Sequence, residues 1–193
     1  LAGNLTASAA ATASTISGLF AVSGTGRLWT VADGAAADDL VVIGSLSGGG
    51  SSVFRSGSGR VALNGGATLT TLRLDAGETA VNGSTSMTVQ LNGGTLSGTG
   101  TAGSVSVLAP GGFIRPGNGG PGVLTSSGAF ALNPATTFAV QLANAAPGTG
   151  HDQWSSGGTV DLNGAALSLT ALAGFSAPAG TVFTLLNKAG SGA

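Results

Sequence analysis

Cysteine and tyrosine are absent from this chain, and histidine, lysine and methionine occur once each. Without cysteine there is no disulfide framework and no thiolate metal site. A single imidazole, His151, cannot supply the paired histidines of a zinc site. Charge is scarce as well: Asp, Glu, Lys and Arg make up 7% of residues, where about 25% is ordinary. A net charge of −1 provides no basic stripe for nucleic acid or for an anionic membrane surface. No apolar run reaches the ~18 residues of a transmembrane helix. Six prolines without a G-X-Y period exclude collagen. A hydrophobic content of 42% is too high for a disordered chain.

What the chain has in excess is glycine, 36 of 193 residues, well above the usual share of about 7%. The glycines recur in one phrase, a few alternating apolar residues followed by an Asn-Gly or Pro-Gly turn. It reads VALNGGATL at 61–69, VQLNGGTLSG at 89–98, VLAPGGFIRPG at 107–117 and VDLNGAALSL at 160–169. Short strands broken by glycine turns predict the stacked coils of a β-solenoid. The turn residues Asn64 and Asn82, then Asn92, Pro110 and Gly128, are spaced in steps of 18 (82 − 64, 110 − 92, 128 − 110). That predicts coils of about 18–20 residues, as in a parallel β-helix. Alternation within the strands points Leu72, Leu74, Val89 and Leu91 inward and Thr71, Arg73 and Gln90 outward. Asn and Gly are expected at corners because they tolerate positive φ, and a corner Asn can also bond the backbone one coil away.

Along the chain, 1–145 reads as parallel β-helix coils, with 1–35 a weakly defined entry region. The ASAAATAS run at 7–14 is read as irregular or strand-like rather than helical. Arg27 to Val31 and LVVIGSL at 40–46 read as strands. Residues 146–193 change character after the loop NAAPGTGHD. Their longer alternating strands, 159–172 and 180–187, read as an antiparallel hairpin that caps the solenoid and is itself truncated. The fold expected is all-β, a right-handed parallel β-helix of roughly five to seven coils with that C-terminal cap.

Three stretches resemble the passenger-associated strand repeats of autotransporter-type bacterial surface proteins. NGGTLSGTGTAGSVSVLAPGGFIRPGNGGPGVLTSSG at 92–128 is similar to the glycine phrase of that family, HDQWSSGGTVDLNGAALSLT at 151–170 to its "YDQL.V.GTV.L.GATL.L" segment, and AGFSAPAGTVFTLLN at 173–187 to its "GF.P..GD.FTIL" segment. STISGLFAVSGTGRLWT at 14–30 is more weakly similar to the upstream repeats. His151 stands in place of the usual aromatic, Trp154 in place of an aliphatic, and the PGNGGPG corner is one residue longer. The chain stops at Ala193, before the glycine-rich strand and membrane barrel of the family. The resemblance implies a surface-displayed or secreted passenger domain on a Gram-negative cell, exported with an outer-membrane translocator of the same polypeptide. An adhesive role and host or biofilm glycans or proteins as partners are implied on the same footing.

Chemistry is sparse. A lyase or hydrolase on a solenoid needs carboxylates on adjacent coils, and the positions one coil from Asp75 are Gly57 and Gly93, with no acid beside them. Asp75 and Glu78 are read as a solvated turn, and Asp38 and Asp39 as a solvated loop rather than calcium ligands. His151 and Asp152 are weighed against Ser155 and Ser156 as a relay and read instead as the start of a structural strand. Arg55 and Arg60, flanking SGSG, are read as solubilising an exposed loop, with contact to an acidic glycan the other option. GSLSGGGSS and GNGGPG lack the Lys and Ser/Thr of a phosphate loop and are read as corners. Asn4 and Asn82 fit the glycosylation triplet, and Thr68, Thr70, Thr71, Thr85 and Thr88 are too irregular for an ice-binding face. No catalytic, cofactor-binding or metal residue is assigned, and no cofactor is expected. The function expected is a structural stalk or adhesin segment. The alternative is a carbohydrate-binding or carbohydrate-cleaving β-helix whose active residues lie outside this sequence.

Overall fold

The computed structural model describes residues 1–189, and they form a parallel β-helix of eight coils. The first coil carries β1 (Leu5–Ala7), β2 (Ser14–Ile16) and β3 (Leu19–Ala21); the second carries β4 (Arg27–Val31), β5 (Leu40–Val42) and β6 (Ser45–Ser47). The third and fourth carry β7 (Ser52–Ser56) with β8 (Arg60–Leu63), and β9 (Thr71–Leu74) with β10 (Glu78–Val81). The fifth has β11 (Thr88–Leu91), β12 (Thr95–Gly98) and β13 (Thr101–Ala102); the sixth has β14 (Val105–Val107), β15 (Gly112–Pro116) and β16 (Val123–Ser126). The seventh has β17 (Phe130–Ala131), β18 (Thr136–Leu142) and β19 (Gln153–Ser156), and the eighth β20 (Val160–Asp161), β21 (Ala166–Ala171) and β22 (Leu186–Lys188).

Each coil contributes one strand to each of the first two faces, and all but the third and fourth coils contribute one to a third face. The first face runs β1-β4-β7-β9-β11-β14-β17-β20 and the second β2-β5-β8-β10-β12-β15-β18-β21. The third runs β3-β6, continues through the parallel bridges Leu46↔Ala67, Ala67↔Thr85 and Ser84↔Thr101, and ends β13-β16-β19-β22. Alternation decides which side chains fill the interior. Val53, Leu72, Val89, Val105 and Phe130 stack in one column, and Leu40, Val61, Thr79, Leu96, Ile114 and Phe138 in another. Each fully buried aliphatic contributes roughly 1.5–3 kcal/mol. A lone coil cannot gain it, because its side chains have no rung above or below. Leu72, Leu74, Val89 and Leu91 are buried, and Thr71, Arg73 and Gln90 face out, as alternation predicts.

Four sequence expectations change. Residues 159–188 are not an antiparallel hairpin cap. β20, β21 and β22 pair in parallel with β17, β18 and β19, forming an eighth coil whose β21 is exposed throughout. Alternation has the same period in both pairings, so it did not distinguish them. That coil and the one in the entry region bring the total to eight. The 40–46 strand is two, β5 and β6, separated by a corner at Ile43–Gly44. The 18-residue series also joins different corners. Asn64 and Asn82 share the corner between the second and third faces, Asn92 and Pro110 lie between the first and second, and Gly128 between the third and first. Glu78 pairs Arg60 and Thr95, steps of 18 (78 − 60) and 17 (95 − 78), but Phe130 pairs Val160, a step of 30 (160 − 130). Loops extruded from the later coils lengthen them.

Positive φ is not what places Asn at corners, since Asn163 is the one non-glycine residue with it among those described. Asn82 Nδ2 donates to Asn64 Oδ1 at 2.8 Å, and Asn82 Oδ1 accepts from the Thr99 amide of the next coil at 3.4 Å. The glycines after them serve close approach. In the column Gly18, Gly44, Gly65, Gly83, Gly100, a Cβ on each of the last four would lie 1.8, 1.9, 2.1 and 2.2 Å from the carbonyl oxygen below it. Only glycine lets these corners stack at rung spacing.

Candidate functional site

The outer side of the second face brings Asp38, Arg60, Glu78, Arg115 and Asp152 together around one cleft of about 510 Å³. Its floor comes from neighbouring strands. Arg60 on β8 pairs in register with Glu78 on β10, and Ser97 on β12 with Arg115 on β15. Its wall is the loop 117–122, which interrupts the sixth coil. The loop is pinned at Gly117 by a two-way backbone pair with Gly98, 2.8 Å each way, and at Gly122, whose amide donates to Asp152 Oδ1 at 2.9 Å. Gly117 and Gly119 take positive φ in it, so its path depends on glycine.

Arg60 is the hub. Its Nε donates to Glu78 Oε1 at 2.9 Å, its Nη1 to Asp38 Oδ1, and its Nη2 to Asn118 Oδ1 on the loop. Glu78 Oε1 also accepts from the Ser97 hydroxyl at 2.6 Å. Burial works to raise the Glu78 pKa, but Ser97, Arg60 and the Arg115 charge together hold it below its ordinary value. Asp152 behaves in the opposite way. Burial raises it, outweighing the amides of Gln141 (2.8 Å) and Gly122 that donate to its carboxylate and the nearby Arg115 charge. Arg115 itself is exposed and donates no hydrogen bond among the described residues.

Sequence reasoning placed none of these residues in a site. Asp38 and Glu78 were read as solvated turns and Arg60 as a solubilising charge, yet all three meet here. The available signal was the spacing of Arg60, Glu78 and Ser97, 18 and 19 residues apart, close to one coil each. Asp152 carried no such signal because it arrives from a 30-residue coil. Asp75 stays apart, as expected: Arg73 grips both its oxygens at 2.7 and 2.8 Å, Asn92 donates to it at 2.7 Å, and Arg73 also lies 3.8 Å over the Phe54 ring.

Arg55 is a correction. It is 1% exposed and occupies the interior column between Trp29 and Leu74. Its guanidinium donates to the carbonyls of Ser56, Gly57, Gly59 and Ala76, capping corners from inside. Burial lowers its pKa to about 10, against the pull of Asp39. Asp39 is also structural rather than solvated: buried, it accepts from the amides of Gly34 and Arg60, both at 2.7 Å.

The relay weighed at 151–156 is not assembled. The His151 ring nitrogens each lie 3.3 Å from a carbonyl, of Asn144 and of Thr184, and the ring meets Phe183 edge-on. Asp152 is held by backbone amides, and Ser156 shares a hydrogen bond with Ser126. Trp154 fills the interior, stacked on Phe130 at 4.0 Å. Of the two glycosylation triplets, Asn4 accepts from the Leu28 amide, and Asn82 sits in the corner ladder. Hydroxyls of Ser45, Ser47, Thr68, Ser84 and Thr101 line a second, shallow groove of about 590 Å³ on the third face. Among the described residues no cluster of three His, Cys, Asp or Glu can hold a metal, and no helix is long and apolar enough to cross a membrane. Compared with protein-family models, curated proteins and solved structures, the chain gives no match.

Proposed function

We propose that this chain is a non-catalytic structural segment, a stiff stalk displayed on a Gram-negative cell surface by an autotransporter-like protein. The supporting observation is the unbroken parallel pairing of the first two faces through all eight coils. Eight rungs at ~4.8 Å make a rod of roughly 38 Å along the axis, and bending it requires the inter-coil backbone hydrogen bonds on the outer side of the bend to lengthen. The surface carries mostly Ser, Thr, Asn and Gly with few charges, a coat that resists salt and pH change better than ion pairs do. The partners in this reading are the adjacent coils, the outer-membrane translocator of the same polypeptide, and host or biofilm glycans or proteins.

Protease shaving of intact cells that express the full-length gene tests the display. An antibody to this segment should lose its signal on shaving while periplasmic markers persist, and a protected segment contradicts the proposal. Saturable turnover of an acidic polysaccharide by the purified chain would contradict the non-catalytic part.

A further inference from the structure

We propose that the cleft between the second face and loop 117–122 binds a neutral saccharide. Its volume falls in the range of small-molecule sites, about 300–1,000 Å³. Its walls are fixed before any ligand arrives, since Arg60 ties the loop to the floor through Asn118 and the Gly98–Gly117 pair anchors its base. Preorganisation of this kind lowers the ordering cost of binding.

The polar groups decide the ligand class. Arg115 offers a guanidinium whose donors no described residue takes up, facing the same space as the Glu78 carboxylate. Glu78 spends Oε1 on Arg60 and Ser97 and leaves Oε2 for a ligand. Asn118, Gln141 and Thr170 add two amides and a hydroxyl. A sugar hydroxyl donates and accepts at once, so neighbouring hydroxyls can bridge a carboxylate and a guanidinium together. Charge argues against an ionic ligand. Asp38, Glu78 and Asp152 outnumber Arg60 and Arg115 in the lining, so an anion meets a net negative field and a cation meets the exposed Arg115.

An exposed ring lies outside the lining, on the same strand as Arg115. Phe113 is 48% exposed and lies two residues before Arg115 on the outer side of β15, roughly 7 Å along the strand. Burying such a ring against the apolar face of a pyranose gains area and a favourable contact with the π cloud.

The experiment is titration calorimetry of the intact chain with cellobiose, maltose and lactose, and with digalacturonate as the charged comparison. At least one neutral disaccharide should bind saturably, with a Kd of about 0.1–10 mM. Arg115→Ala and Phe113→Ala should each weaken it about tenfold or more with unchanged melting, since both side chains are exposed. Thr68→Ala, on the third face, should leave it unchanged. No saturable binding of any neutral disaccharide would overturn the proposal. So would tighter binding of digalacturonate, or affinity indifferent to both cleft variants.

Discussion

Replacing Gly83 with alanine should destabilise the solenoid far more than one added methyl ordinarily does. The new Cβ would sit 2.1 Å from the Gly65 carbonyl oxygen and 2.7 Å from its carbon, both backbone atoms of the coil below. Neither can rotate away, so the rungs must part by about 1 Å to restore ordinary contact. That movement strains the amides of Asn82 and Gly83, both donating to Leu63 O at 2.9 Å, and the Thr101 amide on Gly83 O at 3.0 Å. Two or three weakened hydrogen bonds at ~0.5–1.5 kcal/mol each, or an overpacking cost of ~1–3 kcal/mol, place the loss at about 2–4 kcal/mol. Gly49→Ala is the matched control. Nothing lies within 4 Å of its Cβ and its φ is not positive, so alanine there should be neutral or stabilise by ~0.4–1 kcal/mol through the unfolded chain. Urea unfolding of both variants, read as the shift in midpoint, should separate them by about 3 kcal/mol, more than a hundredfold in the unfolding constant. Equal midpoints would refute the stacked-glycine corner.

Leu91→Asp places a charge in a fully buried column and should cost about 4 kcal/mol or more, seen as a collapse of thermal stability; wild-type melting would mean the inward register is wrong. Arg55→Met should lose ~3 kcal/mol despite its similar length, because the carbonyls of Gly57, Gly59 and Ala76 lose the guanidinium that donates to them and the buried Asp39 loses a nearby positive charge, and urea unfolding checks it. Acid response should divide between two carboxylates. The Glu78 pKa is lowered on folding, so its stabilisation is present above the ordinary value of 4.5 and lost as pH falls through the folded value. The Asp152 pKa is raised on folding, so its contribution is present below the ordinary 3.8 and lost as pH rises through the folded value. Glu78→Gln should therefore flatten, and Asp152→Asn steepen, the loss of stability on acidification followed by circular dichroism.

Much of the fold was legible because the solenoid interior obeys a period of two that any single strand displays. Val53, Leu72 and Val89 declare their side by alternation alone, and the 18-residue step from Asn64 to Asn82 is a true coil. Partner choice was not legible. VDLNGAALSL and GTVFTLLN alternate as a hairpin would, yet β21 pairs with β18 and β22 with β19. Arg55 was misplaced by its charge, although its position two residues after Val53 puts it on the inner side of the same strand. The cleft was hidden for a related reason. Only an acid stacked on Asp75 was sought, whereas the column three residues further on holds Arg60 and Glu78, and loop 117–122 arrives from outside any repeat.

The absence of cysteine makes the central claim directly measurable, because introduced pairs report without background. Gln90 pairs in register with Arg73 on one side and Ser106 on the other, at ~4.8 Å, within the span a disulfide bridges. The double variants Arg73→Cys/Gln90→Cys and Gln90→Cys/Ser106→Cys should therefore oxidise readily, whereas Arg73→Cys/Ser106→Cys, two rungs apart, should stay reduced. Efficient linkage of that last pair, or failure of both adjacent pairs, would contradict parallel stacking in this register.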